Sequence, residues 1–390
     1  MTGSGLSVSR LQLTEGAQFI RGHNDLLYDG TGKPYIDLHN GFGAVFMGHS
    51  HPSITQALVA QAESLWTCGG ASTAVYHQAS QALADAFGGR FKTASLHSTG
   101  MEANEFVLRY ARVVTGKSGW VGFDGSMYGK SQATASLAWP NGSLPSLVDC
   151  HRLPFPRIQT EASVLLQLEA LLQCKSIGAV LIEPILGSSG GVAASAEFCQ
   201  AAARLARSFG ALVVVDEILT GFHRTGTQFR FDSLSLYPDV AVVGKACGNG
   251  FPVSAVMVEP QRQIVPEMLP GSTFGGNPLA CASVVATLAA MKEGDITARV
   301  KAIDEIVTHQ LGWLKGSSLQ LRGSGAFWVV DGLPLGSVAA LLHALQLQGY
   351  HLSGSGSQIR LLPASTIGID NLTQACAAVS ASLRLLTNCL

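Results

Sequence analysis

Charge is scarce in this sequence. Asp, Glu, Lys and Arg together make up 13% of the residues, in near balance at 25 basic and 26 acidic side chains. With a mean hydropathy of +0.28, so little charge requires a large share of the chain to be buried in a core or a subunit interface. The net charge of −1 argues against nucleic acid or an anionic membrane as the main partner. No run of 18 apolar residues exists, so no membrane span is expected. The opening "MTGSGLSVSRLQLTEG" has no apolar h-region, so no signal peptide is expected. The eight cysteines include no C-x-x-C pair and read as reduced thiols of a cytoplasmic protein. Cys247, two residues past Lys245, reads as a small buried residue. Without H-E-x-x-H or a cysteine pair a metal enzyme finds no support, and without G-x-S-x-G neither does a serine hydrolase. The glycine-rich pieces "GSGAF" and "GSGSQ" do not fit G-x-G-x-x-G and read as turns. No internal repeat or low-complexity linker is evident.

What is present is a long alternation. The 390 residues suffice for two domains. Short strand-like pieces, "LLYDG" and "PYIDLHNG", open the chain. From about residue 50, helical stretches at 53–66, 77–87, 102–115, 161–174 and 195–209 alternate with apolar runs. These runs are "WVGF", "GAVLIEPI", "ALVVVDE", "DVAVVGK" and "SAVMVE". The pattern predicts an α/β fold with a mostly parallel sheet covered on both faces. From about 290 the order becomes helix 297–315, short strands, helix 337–348, the strand "IRLLP" and helix 370–387, which is an α+β unit. The expected division is an N-terminal segment 1–45 belonging to the small domain, a large domain 46–288 and a small C-terminal domain 289–390.

Two of the apolar runs end in charge. "ALVVVDE" stops at Asp216 and "DVAVVGK" at Lys245, and "GAVLIEPI" carries Glu183 at its end. Ligands of open α/β sheets bind beyond the carboxyl ends of strands. A desolvated lysine has a lowered pKa, and its neutral amine forms a Schiff base with an aldehyde. A carboxylate beside it can keep the ring nitrogen of pyridoxal 5′-phosphate protonated, the condition for that ring to act as an electron sink. In "HSTGMEANEFVLRYAR", Gly100 permits close approach, and a helix starting near Met101 points its N-terminus at the cofactor's phosphate.

The whole chain resembles the class III aminotransferases of the fold-type I pyridoxal-phosphate enzymes. The motifs in order are "GHSHPSI", "STGMEANEFVLRYARVVTG" (98–116), "IEPILGSSGGV" (182–192), "VVDEILTGFHRTG" (214–226), "VVGKACGNGFP" (242–252), "GSTFGGNPLACA" (271–282) and "IRLLP" (359–363). The resemblance implies a seven-stranded large-domain sheet and a ping-pong transfer of an amino group between an amine or amino acid and a keto compound. It implies Lys245 as Schiff-base lysine and proton shuttle, Asp216 as partner of the ring nitrogen, and Gly100 and Met101 as amide donors to the phosphate. Thr99, Ile218 and Ser272 join the cofactor set from the same motifs. Thr273 would reach the phosphate of a neighbouring subunit, which implies a homodimer with shared sites. Glu183 would support the site or serve as an ion-pair partner only. Arg360 would pair with a substrate carboxylate, or stand as a surface or interface arginine. Phe42–Val45 and Ser72–Tyr76 would line the amine pocket.

The chain departs from the family pattern in three places. The stretch "GSMYGKS" puts Met127, with Tyr128 next to it, where an aromatic ring usually covers the cofactor. Leu219 replaces a glutamine that contacts the phenolic oxygen. Ser188 stands where a glutamate often swings over the C-terminal arginine. An aminomutase or racemase on the same scaffold, or a binding protein that kept the fold, are the competing functions, and the intact Lys245 and Asp216 weigh against the last.

Overall fold

The computed structural model describes residues 17–138, 147, 149–174, 176–262 and 266–388. Its centre is a seven-stranded sheet in the order Lys92–His97, Ser254–Val258, Val240–Gly244, Leu212–Asp216, Ile177–Ile182, Gly119–Phe123, Cys150–Leu153. Ser254–Val258 is antiparallel to both its neighbours, and the other neighbouring pairs are parallel. The expected mostly parallel sheet is therefore present. Lys92–His97 and Cys150–Leu153 are strands that the apolar runs did not announce.

Five of these strands are buried along their whole length. That explains why they read as continuous apolar runs rather than as alternations. Alternate residues serve two cores. Val180, Val213, Val215, Ala241 and Val243 point to one, shared with the helices Glu161–Cys174, Ala196–Ser208 and Pro278–Glu293. Leu181, Leu212, Val214, Val240 and Val242 point to the other, where Ala103, Phe106, Val107, Tyr110 and Ala111 of the helix Gly100–Thr115 cover them.

Two four-stranded sheets complete the molecule. One joins the strands Phe19–His23, Leu26–Asp29 and Pro34–Asp37 to Tyr350–His351, with Ile36 and Asp37 paired to Tyr350 and His351. The other contains Gln320–Ser324, Phe327–Asp331, Gln358–Leu361 and Ser353–Ser355. Ile185 and Leu219, beyond the central strands, meet Phe327, Val329 and Leu362 of this last unit in a small apolar cluster. That cluster brings the strand bearing Arg360 over the ends of the central strands. No helix among the described residues is long and apolar enough to cross a membrane.

Candidate active site

Register places the site. Ser254 lies opposite His97 on one side and Gly244 on the other. His97 leads into the helix Gly100–Thr115, and Gly244 leads into Lys245. Ser254 Oγ also donates to the Thr99 carbonyl at 2.7 Å. The helix start and the lysine therefore emerge at the same end of the sheet, separated by one strand. Asp216 closes the next strand, aligned with Val242, and the Glu217 amide donates to the Val242 carbonyl at 2.8 Å. Lys245 itself has φ +45°. A lysine gains nothing from the left-handed region, so this turn is held by its surroundings.

The helix start is a prepared anion site. Thr99 and Glu102 form a reciprocal capping box. Thr99 Oγ1 accepts from the Glu102 amide, and the Glu102 carboxylate accepts from the amides of Ser98 and Thr99. The Ala103 amide goes to the Thr99 carbonyl. The amides of Gly100 and Met101 are left free at the positive end of the helix dipole. Gly100 has a second reason to lack a side chain: a Cβ there would lie 2.4 Å from Ile218 Cδ1.

Behind these amides lies a buried acid network. Asp216 is 5% exposed. Its two oxygens accept from Asn104 Nδ2 at 2.8 Å and from the Ile218 amide at 2.9 Å. Burial pushes its carboxyl up to about 6, against the pull of those donors and of the Lys245 charge. Glu183 is also buried, and its oxygens accept from the amides of Met127 at 2.8 Å and Gly187 at 3.0 Å. Burial, aided by the Asp216 charge, pushes Glu183 up to about 7. Burial pulls the Lys245 ammonium down to about 8, although Asp216 and Glu183 hold it up. An amine and two carboxyls thus change charge near neutrality within one electrostatic cluster, as sites of acid–base chemistry do.

Arg360 approaches from the C-terminal unit. It is half-buried, and Nη1 donates to the Gly187 carbonyl at 3.2 Å. Its guanidinium carbon stands 5.5 Å from the centre of the Phe42 ring. Nε is buried without a partner, and no carboxylate pairs with Arg360 among the described residues. Phe42 reaches it from a left-handed turn in which Asn40, Gly41, Phe42 and Gly43 have φ of +47°, +57°, +58° and +81°. Asn40 Nδ2 pins the turn to the Leu362 carbonyl at 2.8 Å. Arg224, with no exposed surface, joins the Gly43 carbonyl at 2.7 Å to those of Pro363 at 2.7 Å and Ala326 at 3.2 Å.

This constellation is an amine, a buried acid, free helix amides and an unpaired guanidinium, and it fits pyridoxal phosphate. The sequence match is independent of that geometry: the family described as aminotransferase class-III matches residues 12–383. The chain belongs to the class-III aminotransferases. Relatives of this family include the 2-aminoadipate transaminase of Pseudomonas putida, 30% identical over 92% of this chain and 95% of that protein. The acetylornithine aminotransferase of Bacillus subtilis is 34% identical over 89% and 90%. In fold, the chain is similar to an amine transaminase from an uncultivated Pseudomonas species, solved in its PLP-bound form. That match has a TM-score of 0.88 and 22% identity over 99% of this chain and 98% of the other. The ornithine aminotransferase of Toxoplasma gondii gives 0.85 and 24% over 100% and 94%. The protein is thus a pyridoxal-phosphate-dependent transaminase of fold type I.

Within this class-III aminotransferase the departures from the family pattern have definite places. Tyr128 requires a correction. It is 1% exposed, packs in the core beneath the helix Gly100–Thr115, and donates its hydroxyl to the Leu181 carbonyl at 2.6 Å. That side chain is committed to the interior and is not available as a stacking ring. Met127 is the half-buried one of the two. Leu219 lies in the apolar cluster between the units, so tightly that a Cβ on Gly187 or Gly43 would sit 2.4 or 2.9 Å from its methyl groups. The Ser188 carbonyl accepts from Gln358 Nε2 at 2.7 Å, and the Gly190 amide donates to Gln358 Oε1 at 2.6 Å. The loop is therefore clamped to the strand of Arg360. Thr273 is exposed and Ser272 half-buried, on a loop whose Gly275 and Gly276 lie close against Leu96 and Tyr76. Sequence reasoning missed Asn104, Arg224 and Gln358. Asn104 left one trace, a polar amide four residues after Gly100 on the apolar face of its helix.

Proposed function

We propose that this aminotransferase moves the amino group of an amino acid to a keto acid, and that Arg360 receives a carboxylate in both half-reactions. The single observation that carries the reading is the guanidinium of Arg360, half-buried, without a carboxylate partner, in the same electrostatic cluster as Lys245 and Asp216. When bound, pyridoxal phosphate supplies the electron sink beside the substrate carbon. Gly100 and Met101 offer their amides to its phosphate, and Thr99 holds the helix start that carries them. Asp216 keeps a proton on the ring nitrogen. Ile218 and Met127 would line the ring's pocket, and Glu183 fixes Met127 and the 187 loop through their amides. Lys245 Nζ would be the amine that holds the cofactor, and the base that moves the proton at the substrate carbon.

Two features support the arginine. The loop that carries a covering glutamate in many relatives has Ser188 at that position, and Gln358 holds it in place. Arg360 Nε faces no solvent and Nη1 is shared with Gly187, so a carboxylate meets the outer edge of the fork. The two relatives described above are named for 2-aminoadipate and acetylornithine, which both carry carboxylates. Seven free cysteines among the described residues, five of them buried, support the cytoplasm as compartment. The sheet shared by Pro34–Asp37 and Tyr350–His351 supports assigning residues 1–45 to the small unit with 289–390, around a large domain 46–288.

The test is a pair of half-reactions followed by cofactor absorbance in wild type and Arg360→Lys. An ammonium does not reproduce a bidentate fork. The variant is expected to lose about 2–4 kcal/mol toward amino and keto acids and to keep the wild-type rate toward a simple amine without a carboxylate. An equal loss on both substrate types would make Arg360 a structural residue and remove the amino-acid part of the proposal.

A further inference from the structure

The Asn104 side chain has no exposed surface and stands one helical turn after Gly100. Its Nδ2 donates to Asp216 Oδ2 and to the Tyr128 carbonyl, both at 2.8 Å, while its Oδ1 is buried without a partner. The Tyr128 carbonyl can only accept. If the amide were turned over, Oδ1 would face that carbonyl oxygen, and two acceptors would be opposed in a dry interior. The Tyr128 carbonyl therefore fixes which end of the amide meets Asp216. With the amide fixed, Oδ2 of Asp216 faces a donor, and Oδ1 faces another, the Ile218 amide at 2.9 Å. A proton placed on either oxygen finds no acceptor in these two neighbours.

We propose that Asn104 is a positioning residue that locks Asp216 as an ionised acceptor, so that the proton shared with the cofactor ring resides on the ring nitrogen rather than on the acid. The inference deepens the proposed function and rests on Asp216 as the partner of that nitrogen. It gives one helix two duties. Its first-turn amides face the anion, and its second turn orients the acid at the other end of the same ligand. Asn104 also ties down the carbonyl of the residue after Met127, so acid and ring-facing residue are set by one side chain. The remaining groups that act on Asp216 pull in both directions. Burial opposes its charge and the Lys245 charge favours it, while the Asp216 charge in turn raises the neighbouring Glu183 and Glu217. Asn104 and the Ile218 amide are the two donors that favour the anion against burial.

The experiment uses the cofactor-free full chain, labelled with 15N in asparagine side chains and 13Cγ in aspartate. Asp216→Asn and Asn104→Ala serve to assign the two resonances. In wild type the Asn104 amide resonance is expected to move with pH at the same midpoint as the Asp216 carboxyl. A flat Asn104 signal overturns the proposal without any variant having to fold. In folded Asn104→Leu or Asn104→Ala, the Asp216 midpoint is expected to rise by one pH unit or more, that is, at least tenfold tighter proton binding. The acid limb of the kcat profile should move with it while KM changes little. An unchanged Asp216 midpoint in either folded variant would reduce Asn104 to packing. Failure of the wider reading looks different, since wild-type protein would then not retain pyridoxal phosphate at all.

Discussion

At the scale of the residue, Lys245 is governed by a competition between burial and charge. Burial removes water from the ammonium and favours the neutral amine, while Asp216 and Glu183 favour the cation. Burial wins, and half of the amine is neutral at about pH 8, where an ordinary lysine amine is almost wholly protonated. The sign is testable in cofactor-free protein. Trace acetylation by acetic anhydride reports the neutral fraction, so the Lys245 peptide is expected to reach half its limiting rate near pH 8. A free lysine derivative in the same tube should do so above pH 10. A common midpoint for both would mean that the lysine is not desolvated before the cofactor arrives. Lys245 and Asp216 stood out in the sequence because each ends an apolar run, whereas Arg360 entered only through the family resemblance. Asn104 did not stand out, because an amide inside a helix carries no charge to draw attention, and its worth depends on Tyr128 and Asp216, remote in sequence and adjacent in space.

At the scale of the element, the helix Gly100–Thr115 and the segment after Asp216 were fitted to each other. Only Cδ1 of Ile218 would collide with an added Cβ at Gly100. Its Cγ1 and Cγ2 stand at 3.4 and 3.5 Å, ordinary contact distances. Gly100→Ala should therefore weaken cofactor retention about tenfold or more by pushing Ile218 or the helix start aside, about 1.4 kcal/mol in free energy. Ile218→Val removes the colliding methyl and should restore most of that loss in the double variant, while changing little alone. Equilibrium dialysis of pyridoxal phosphate on the four proteins gives the coupling. Loss without rescue would place the demand for glycine on the phosphate alone. Elements with one apolar face or a fully apolar core run were readable. Helix 161–174 has the bounds expected of it. The helix Pro278–Glu293 gave no signal, because Ala280, Cys281, Ala282, Ser283, Val284 and Thr287 bury it on several sides and leave no stripe. Lys92–His97 and Cys150–Leu153 are flanking strands with polar residues, and only pairing makes them strands.

At the scale of the whole molecule, the exposed Thr273 and the low charge fraction support a dimer that shares its sites. If Thr273 serves the partner's cofactor, a Lys245→Ala chain and a Thr273→Ala chain are each impaired, but mixing them gains activity. The mixed dimer gathers both lesions into one site and leaves the other whole. Subunit exchange followed by activity measurement should return about a quarter of wild-type activity, since about half the dimers are mixed and each has one intact site. No gain in a sample proven to contain mixed dimers would confine each site to one chain.

Arg224 bears on the order in which the molecule is made. Its guanidinium accepts no compromise from nearby chain: its partners lie 181 residues earlier, at Gly43, and 102 and 139 residues later, at Ala326 and Pro363. The central sheet needs no residue beyond Val258. During synthesis, then, the acid and the lysine can be brought together while the arginine buried beneath them still lacks two of its three carbonyls. Arg360 and the carbonyl at Pro363 emerge almost together, about a hundred residues later. A nascent chain of this protein passes through a stage with a formed cofactor cradle, an unsatisfied cation and an open apolar seam around Leu219. That stage is when chaperone capture, premature cofactor loading and aggregation compete for it.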